Sequence, residues 1–206
     1  APTLAGMSNA PGVVDAVAAP MLNAVSVILL MVVPIMSMRL VSEERRSGTL
    51  TLLMSAPLSM TEIVLGKYLG LLSFLLIMLG LLTLMPLSLT VGTHLDFGKL
   101  SAGVLGLSLL LGAFAAAGLF MSTLTKQPVI AAVSSFGLLL LLWIISWTGS
   151  GDDRFSPVFH YLSLLDHYGS LLRGSFNTVD VAYYLLFIVA FLVFSIRRLD
   201  TYRLQH

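Results

Sequence analysis

Val41-Ser-Glu-Glu-Arg-Arg-Ser-Gly-Thr-Leu-Thr-Leu-Leu-Met-Ser-Ala-Pro-Leu-Ser-Met-Thr-Glu-Ile-Val-Leu-Gly-Lys-Tyr68 is a polar hinge set between two long apolar runs. It concentrates Glu43, Glu44, Arg45, Arg46, Glu62 and Lys67 in one short segment, whereas charge is sparse elsewhere in the chain. Hydrophobic residues make up 57% of the 206 positions and charged residues only 10%. A soluble domain carries about 25% charged residues, and a chain this apolar cannot cover a folded core with polar groups. The composition therefore implies an all-α polytopic membrane protein, in which the hinge is a solvated elbow between crossings.

Working outward, apolar segments fall at about 21–38, 68–91, 100–124, 128–147 and 181–196. A helix needs about 20 such residues to cross about 30 Å of hydrocarbon. The middle three reach this length. The outer two reach it with small residues at one end and snorkelling arginines at the other. The expectation is five transmembrane helices in a single permease-like domain over 1–206. Pro34 predicts a kink in the first span. Alternate connections place Arg39, Arg45, Arg46, Lys67, Lys126, Arg197, Arg198 and Arg203 on one side, against Lys99, Arg154 and Arg173 on the other. Basic residues favour the cytoplasmic side, so the N-terminus of this chain is expected outside and the C-terminus inside. Residues 1–16 have neither the basic nor the apolar region of a signal peptide, and one further span upstream, six in the intact protein, is expected.

The elbow, 42–67, has a readable local grammar. Glu43, Glu44, Arg45 and Arg46 are expected to stand fully exposed to solvent. Gly48-Thr49 permits a sharp turn. Leu50, Leu53 and Met54 share one face of a short transverse helix, which Pro57 stops. Ser59-Met-Thr-Glu62 is a capping box for the next helix. An apolar knob with charged flanks on a stiff mount suits a groove on a soluble partner. Beyond the fourth span, Val158, Leu162, Leu165, Tyr168, Leu172 and Phe176 recur at helical spacing, with His160, Ser163, Asp166, His167, Ser170 and Arg173 opposite. This predicts an amphipathic or re-entrant helix at 156–176 in the outer interface, beside aromatic residues suited to that depth. Ser108, Gly112 and Ala116 form a small-residue stripe, read first as packing within the chain and second as a dimer seam.

Other chemistry is thinly supported. The chain has no cysteine. It has no phosphate-binding Gly-x-x-x-x-Gly-Lys loop either, and its basic residues are dispersed rather than gathered as nucleic acid requires. His94-Leu-Asp96 lacks a third ligand nearby. His160 and Asp166-His167 keep a metal or proton-relay reading open, with the wet face of an interfacial helix as the plainer one. The spans hold no His, Asp, Glu or Lys, so neither an intramembrane hydrolase nor an ion-coupled carrier is favoured.

The ordered run from Arg39 to Tyr68, with Glu43-Glu44, Arg45-Arg46, Gly48-Thr49, Leu52-Leu53, Pro57 and Gly66-Lys67, closely resembles the first cytoplasmic loop of ABC type-2 permeases, and most of all their gliding-motility-associated (GldF-like) branch. Tyr161 to Tyr168, Arg173-Gly174 and Asp180 to Leu185 resemble that family's last outer loop and final span. The resemblance covers residue 17 onward; the family's first span is not seen, and Thr51 stands where the family often has a carboxylate. It implies a cell (inner) membrane permease subunit of an ATP-driven exporter-type complex, not itself an enzyme. ATP and Mg would be bound by cytosolic ABC ATPase subunits beneath a dimer of permeases, like or unlike, among membrane lipids. The chain itself would hold no cofactor, metal or nucleic acid. Glu43, Glu44, Arg45, Arg46, Gly48, Thr49, Leu50, Leu53, Pro57 and Lys67 would carry coupling to the ATPase, and Lys126 would sit in a second, smaller contact. The alternatives are a non-transporting ABC-type scaffold that drives envelope or motility machinery, and a hydrolase using Asp166 and His167.

Overall fold

In a computed structural model, the described residues are 19–50, 53, 58–88, 97–148, 164–172 and 177–203. Seven helices lie among them: α1 (Ala19–Ser37), α2 (Arg39–Ser47), α3 (Met60–Ser88), α4 (Phe97–Leu124), α5 (Pro128–Thr148), α6 (Leu164–Leu172) and α7 (Thr178–Arg203). No strand occurs among the described residues. Among the described residues, four segments are long and apolar enough to cross a membrane: α1 with α2, α3, α4 and α7. The fifth expected span corresponds to α5, a 21-residue helix with an apolar sequence. Of the expected site residues, Pro57 lies outside the described residues, as do Thr51, His94, Asp96 and His160. The side chain of Asp166 does too.

The bundle is organised around α4, which packs against each of the other six helices. Two-thirds of its most apolar window is buried, against 22% for α3 and for α7. Its sequence explains this position. Gly103, Gly106, Gly112, Ala113, Ala115, Ala116, Ala117 and Gly118 give it a thin shaft that other helices can approach closely. A methyl group built on Gly118 would fall 2.1 Å from Ser37 Oγ and 2.7 Å from Ser37 Cβ. One on Gly106 would fall 2.9 Å from Leu171 Cβ. Tyr68 donates from its hydroxyl to the Gly112 carbonyl at 3.3 Å, an approach that a side chain at Gly112 would crowd. The stripe through Gly112 and Ala116 is thus occupied by the chain's own helices α3 and α7.

By contrast, α3 turns Leu69, Phe74, Ile77, Leu81 and Met85 outward, each more than half exposed. Such a surface is stable only in an apolar solvent or under apolar cover. The buried residues of α3 include Met60 and Ile63 in its first turn, a line through Val64, Tyr68, Leu71, Leu75 and Leu79, and Pro86.

These contacts predict opposite outcomes for two glycines. Gly118→Ala overpacks the α1–α4 contact and costs about 1–3 kcal/mol, whereas a methyl on Gly80 meets nothing within 4 Å. Thermal melts of the two variants in mild detergent should separate them, with only Gly118→Ala melting earlier. Equal melting would contradict the close-approach account.

Candidate functional site: the basic end of the bundle

At one end, the chain turns from α1 through Met38 into α2, and this turn is held from outside. Met38 is the N-terminal flanking residue of α2 and offers no capping hydrogen bond of its own. The need is met by Ser122 of α4. Its hydroxyl oxygen accepts from the Val41 and Ser42 amides at 3.1 and 3.0 Å, and the hydroxyl donates to the Met38 carbonyl at 2.9 Å. A helix start leaves its first amides unpaired, and burial makes that costly. Here a side chain about 80 residues away supplies the cap. The helix closes at Gly48, the only described residue with positive φ (76°), a backbone state in which glycine carries no steric penalty. The sharp turn expected at Gly48-Thr49 is therefore a left-handed helix cap.

The charged residues differ from expectation. Glu43 and Arg46 are exposed, and Arg39 lies 4.0 Å from Glu43 in a solvated pair worth little. Glu44 and Arg45 are not fully exposed; they turn inward. Lys67 Nζ reaches Glu44 Oε1 at 2.5 Å and donates to the Leu40 carbonyl at 2.7 Å. The Lys67 side chain is only 18% exposed. Arg45 donates to the Thr123 carbonyl, and its guanidinium lies 4.6 Å from the centre of the Tyr202 ring. The physical reason is that α2 packs against α4 and α5, with Lys67 of α3 and Tyr202 of α7 in reach. Two of four successive helical side chains must then face those neighbours, where unpaired charge would be costly. The four charges also lie on a helix rather than in an elbow after it.

Thr49 is exposed, whereas Leu50 is buried and Leu53 half-buried against the core. The expected free apolar knob is thus anchored in the bundle through Leu50. Next comes the capping box. Glu62 Oε2 accepts from the Ser59 amide and hydroxyl, each at 2.8 Å, and Ser59 Oγ accepts from the Glu62 amide at 3.2 Å.

The residue expected in a second contact, Lys126, lies on the three-residue link between α4 and α5. Gln127 donates its amide to Thr125 Oγ1 at 3.1 Å, and Pro128 occupies the first position of α5, where its missing N–H is not needed. Lys126 is exposed on this link. Arg45, Arg46, Lys126, Gln127, Pro128 and Val129 line one open hollow of about 480 Å³. Helix α2 and the α4–α5 link, expected to make separate contacts, thus share a single cationic concavity.

Sequence reasoning missed a second polar cluster, at the opposite end. His167 Nδ1 lies 2.6 Å from Asp180 Oδ1, both residues being buried. Ser170 donates its hydroxyl to the other Asp180 oxygen, and the His167 ring stacks on Tyr183 at 4.4 Å between centroids. Tyr184 donates to the Leu164 carbonyl at 2.6 Å. These contacts fasten α6 to the first turns of α7. The available signal was Asp180 itself, an acid at the start of an apolar helix, where the helix dipole favours it. Burial drives the Tyr168 phenol pKa well upward. No group of three potential metal ligands occurs among the described residues.

Two outcomes are expected. Ser122→Ala strips the cap from Val41 and Ser42, and amide exchange across 39–47 should accelerate by about tenfold or more, for a loss of about 1–3 kcal/mol. An unchanged exchange rate there would disprove the capping role. Asp180→Ala should loosen α6. Because the chain lacks cysteine, a single cysteine placed at fully buried Leu171 can report this: protected from maleimide in the parent, it should label readily in the Asp180→Ala background. Continued protection would show that the His167 contact does not hold α6.

A family model described as ABC-2 family transporter protein matches residues 8–204. No curated protein and no solved structure matches the chain.

Proposed function

Because the chain belongs to the ABC-2 transporter family, a family of transporter membrane subunits, we propose that it is a permease whose basic end receives the stroke of a separate ATP-hydrolysing cytosolic subunit. The observation that carries this reading is the shared hollow of Arg45, Arg46 and Lys126. A partner seated there touches the α1–α2–α3 turn and the α4–α5 link together. Orientation follows from the eight-to-three distribution of basic residues, which assigns this end to the cytosol.

In mechanical terms, Arg46, Glu43 and Thr49 are the exposed contacts, while Glu44, Arg45 and Lys67 stiffen their mount. Displacement of α2 reaches α4 through Ser122 and Thr123, α3 through Lys67, and α7 through Tyr202. The spans then move against one another and alter access across the membrane, a shear of packed helices. Nucleotide chemistry belongs to the partner, and this chain contributes no catalytic group. The permease acts as one of a pair, identical or related. Sequence alone adds Leu53 and Pro57 to the coupling segment. A gliding-motility assignment and a non-transporting scaffold use the same coupling end and differ only in what the spans move.

Charge reversal in the hollow tests the docking. Arg46→Glu combined with Lys126→Glu should abolish co-purification of an ATP-binding-cassette subunit in mild detergent and remove permease-stimulated ATP turnover, with membrane insertion intact. Retention of both properties would refute the assignment. ATP-dependent flux from vesicles containing both subunits distinguishes a transporter from a scaffold.

A further inference from the structure

A second feature of the basic end faces sideways rather than along the bundle axis. Between α4 and α7 runs a shallow, wide-open groove of about 320 Å³ lined by Phe120, Leu124, Phe194, Arg197, Arg198 and Thr201. Its residues are sorted by depth. Phe194, Arg197, Arg198 and Thr201 follow one another at helical spacing along one stripe of α7, and Phe120 and Leu124 form the facing stripe of α4. Both helices run toward the basic end, so the aromatic floor lies on the bundle side and the two guanidinium groups stand about one turn beyond it. The floor is preorganised: the Phe120 ring packs at 5.6 Å against Phe191 and at 5.9 Å against Phe194.

The two arginines are exposed, and neither forms an ion pair among the described residues. The neighbouring charges are Asp200 and Arg203, both exposed on α7 and outside the lining, and Arg45, which is engaged with Tyr202. Phe194 is 54% exposed and Leu124 42%. An apolar trough that ends in two unpaired cations is complementary to an amphiphile with an anionic head. We infer that this groove binds one anionic phospholipid of the leaflet at the basic end, with its acyl chain along Phe120 and Phe194 and its phosphate between Arg197 and Arg198. Charge complementarity and the depth order of the lining argue for a lipid: a free phosphate would leave the aromatic floor unused, and a zwitterionic lipid would bring its own cation beside the arginines. This inference is independent of ATPase docking, since the groove shares no residue with the hollow of Arg45, Arg46 and Lys126.

The test uses the purified chain in mild detergent, titrated with phosphatidylglycerol and with phosphatidylcholine of identical acyl chains, and read by native mass spectrometry. The parent should prefer phosphatidylglycerol. Arg197→Ala with Arg198→Ala should reduce that preference on the order of tenfold, because the head group loses its charge-assisted hydrogen bonds. Arg197→Lys with Arg198→Lys should restore part of it. Phe194→Ala should weaken both lipids alike. The control pair Arg39→Ala with Arg46→Ala, which removes the same charge from the same end, should leave the preference within about twofold, since diffuse surface charge is screened. The proposal fails if the Arg197/Arg198 pair retains the parent preference, or if the control pair loses as much. It also fails if a cysteine at position 194 cross-links to a second copy of the chain in lipid bilayers, which would mean that protein rather than lipid covers the groove.

Discussion

The rest of this structure depends on a single hydroxyl. Ser122 satisfies the backbone on both sides of the break at Met38, taking two amide hydrogens and giving one to a carbonyl. Without it, α1 and α2 could not change from one helix to the next inside a buried site without stranding polar groups, which in an apolar surrounding costs several kcal/mol. Two neighbouring facts make the contact possible. Gly118 lies one turn earlier on α4 and lets Ser37 approach to a distance no side chain would permit. Thr123, one residue later, presents its carbonyl to Arg45. Within six residues, α4 therefore sets the approach, the cap and the charge anchor of the whole basic end.

Much of this was legible in the sequence, and the unread parts share a cause. The helices, the left-handed turn at Gly48 and the Ser59–Glu62 box follow from local rules, because each depends on residues within a few positions of one another. The family resemblance drawn from the Arg39–Tyr68 run agrees with the family match at the level of ABC-2 membrane proteins. The inward turn of Glu44 and Arg45 was not legible. It is decided by Lys67, Thr123 and Tyr202, at separations of 23, 78 and, for the ring, still more residues. The His167–Asp180 pair escaped for the same reason. Asp180 reads as a helix-start acid until the fold brings α6 across it. Nor does apolar patterning separate α3 from α4. Both are apolar on every face, one because lipid or a neighbour surrounds it and the other because its own chain does. The small residues of α4 are what tell them apart.

The two ends of the bundle solve the problem of charge at a membrane boundary differently. At the basic end, cations are split between internal anchors and open faces, so that part of the charge builds the mount and part remains free to contact something else. At the other end, the buried acid is closed by a histidine, a serine and an aromatic ring, and α6 is sealed over the start of α7. The first arrangement suits a surface that exchanges partners, the second a lid fixed in place.

The bridge from Lys67 to Glu44 and Leu40 has one more implication. It staples together two points 23 positions apart, so everything strung between them belongs to a closed ring of chain. A ring pinned at its base has already surrendered the configurational freedom of loop closure, a cost that grows only logarithmically with length. Because one ammonium holds both Glu44 and the Leu40 carbonyl, the start of α3 is tied to α2 and the two shift as a unit.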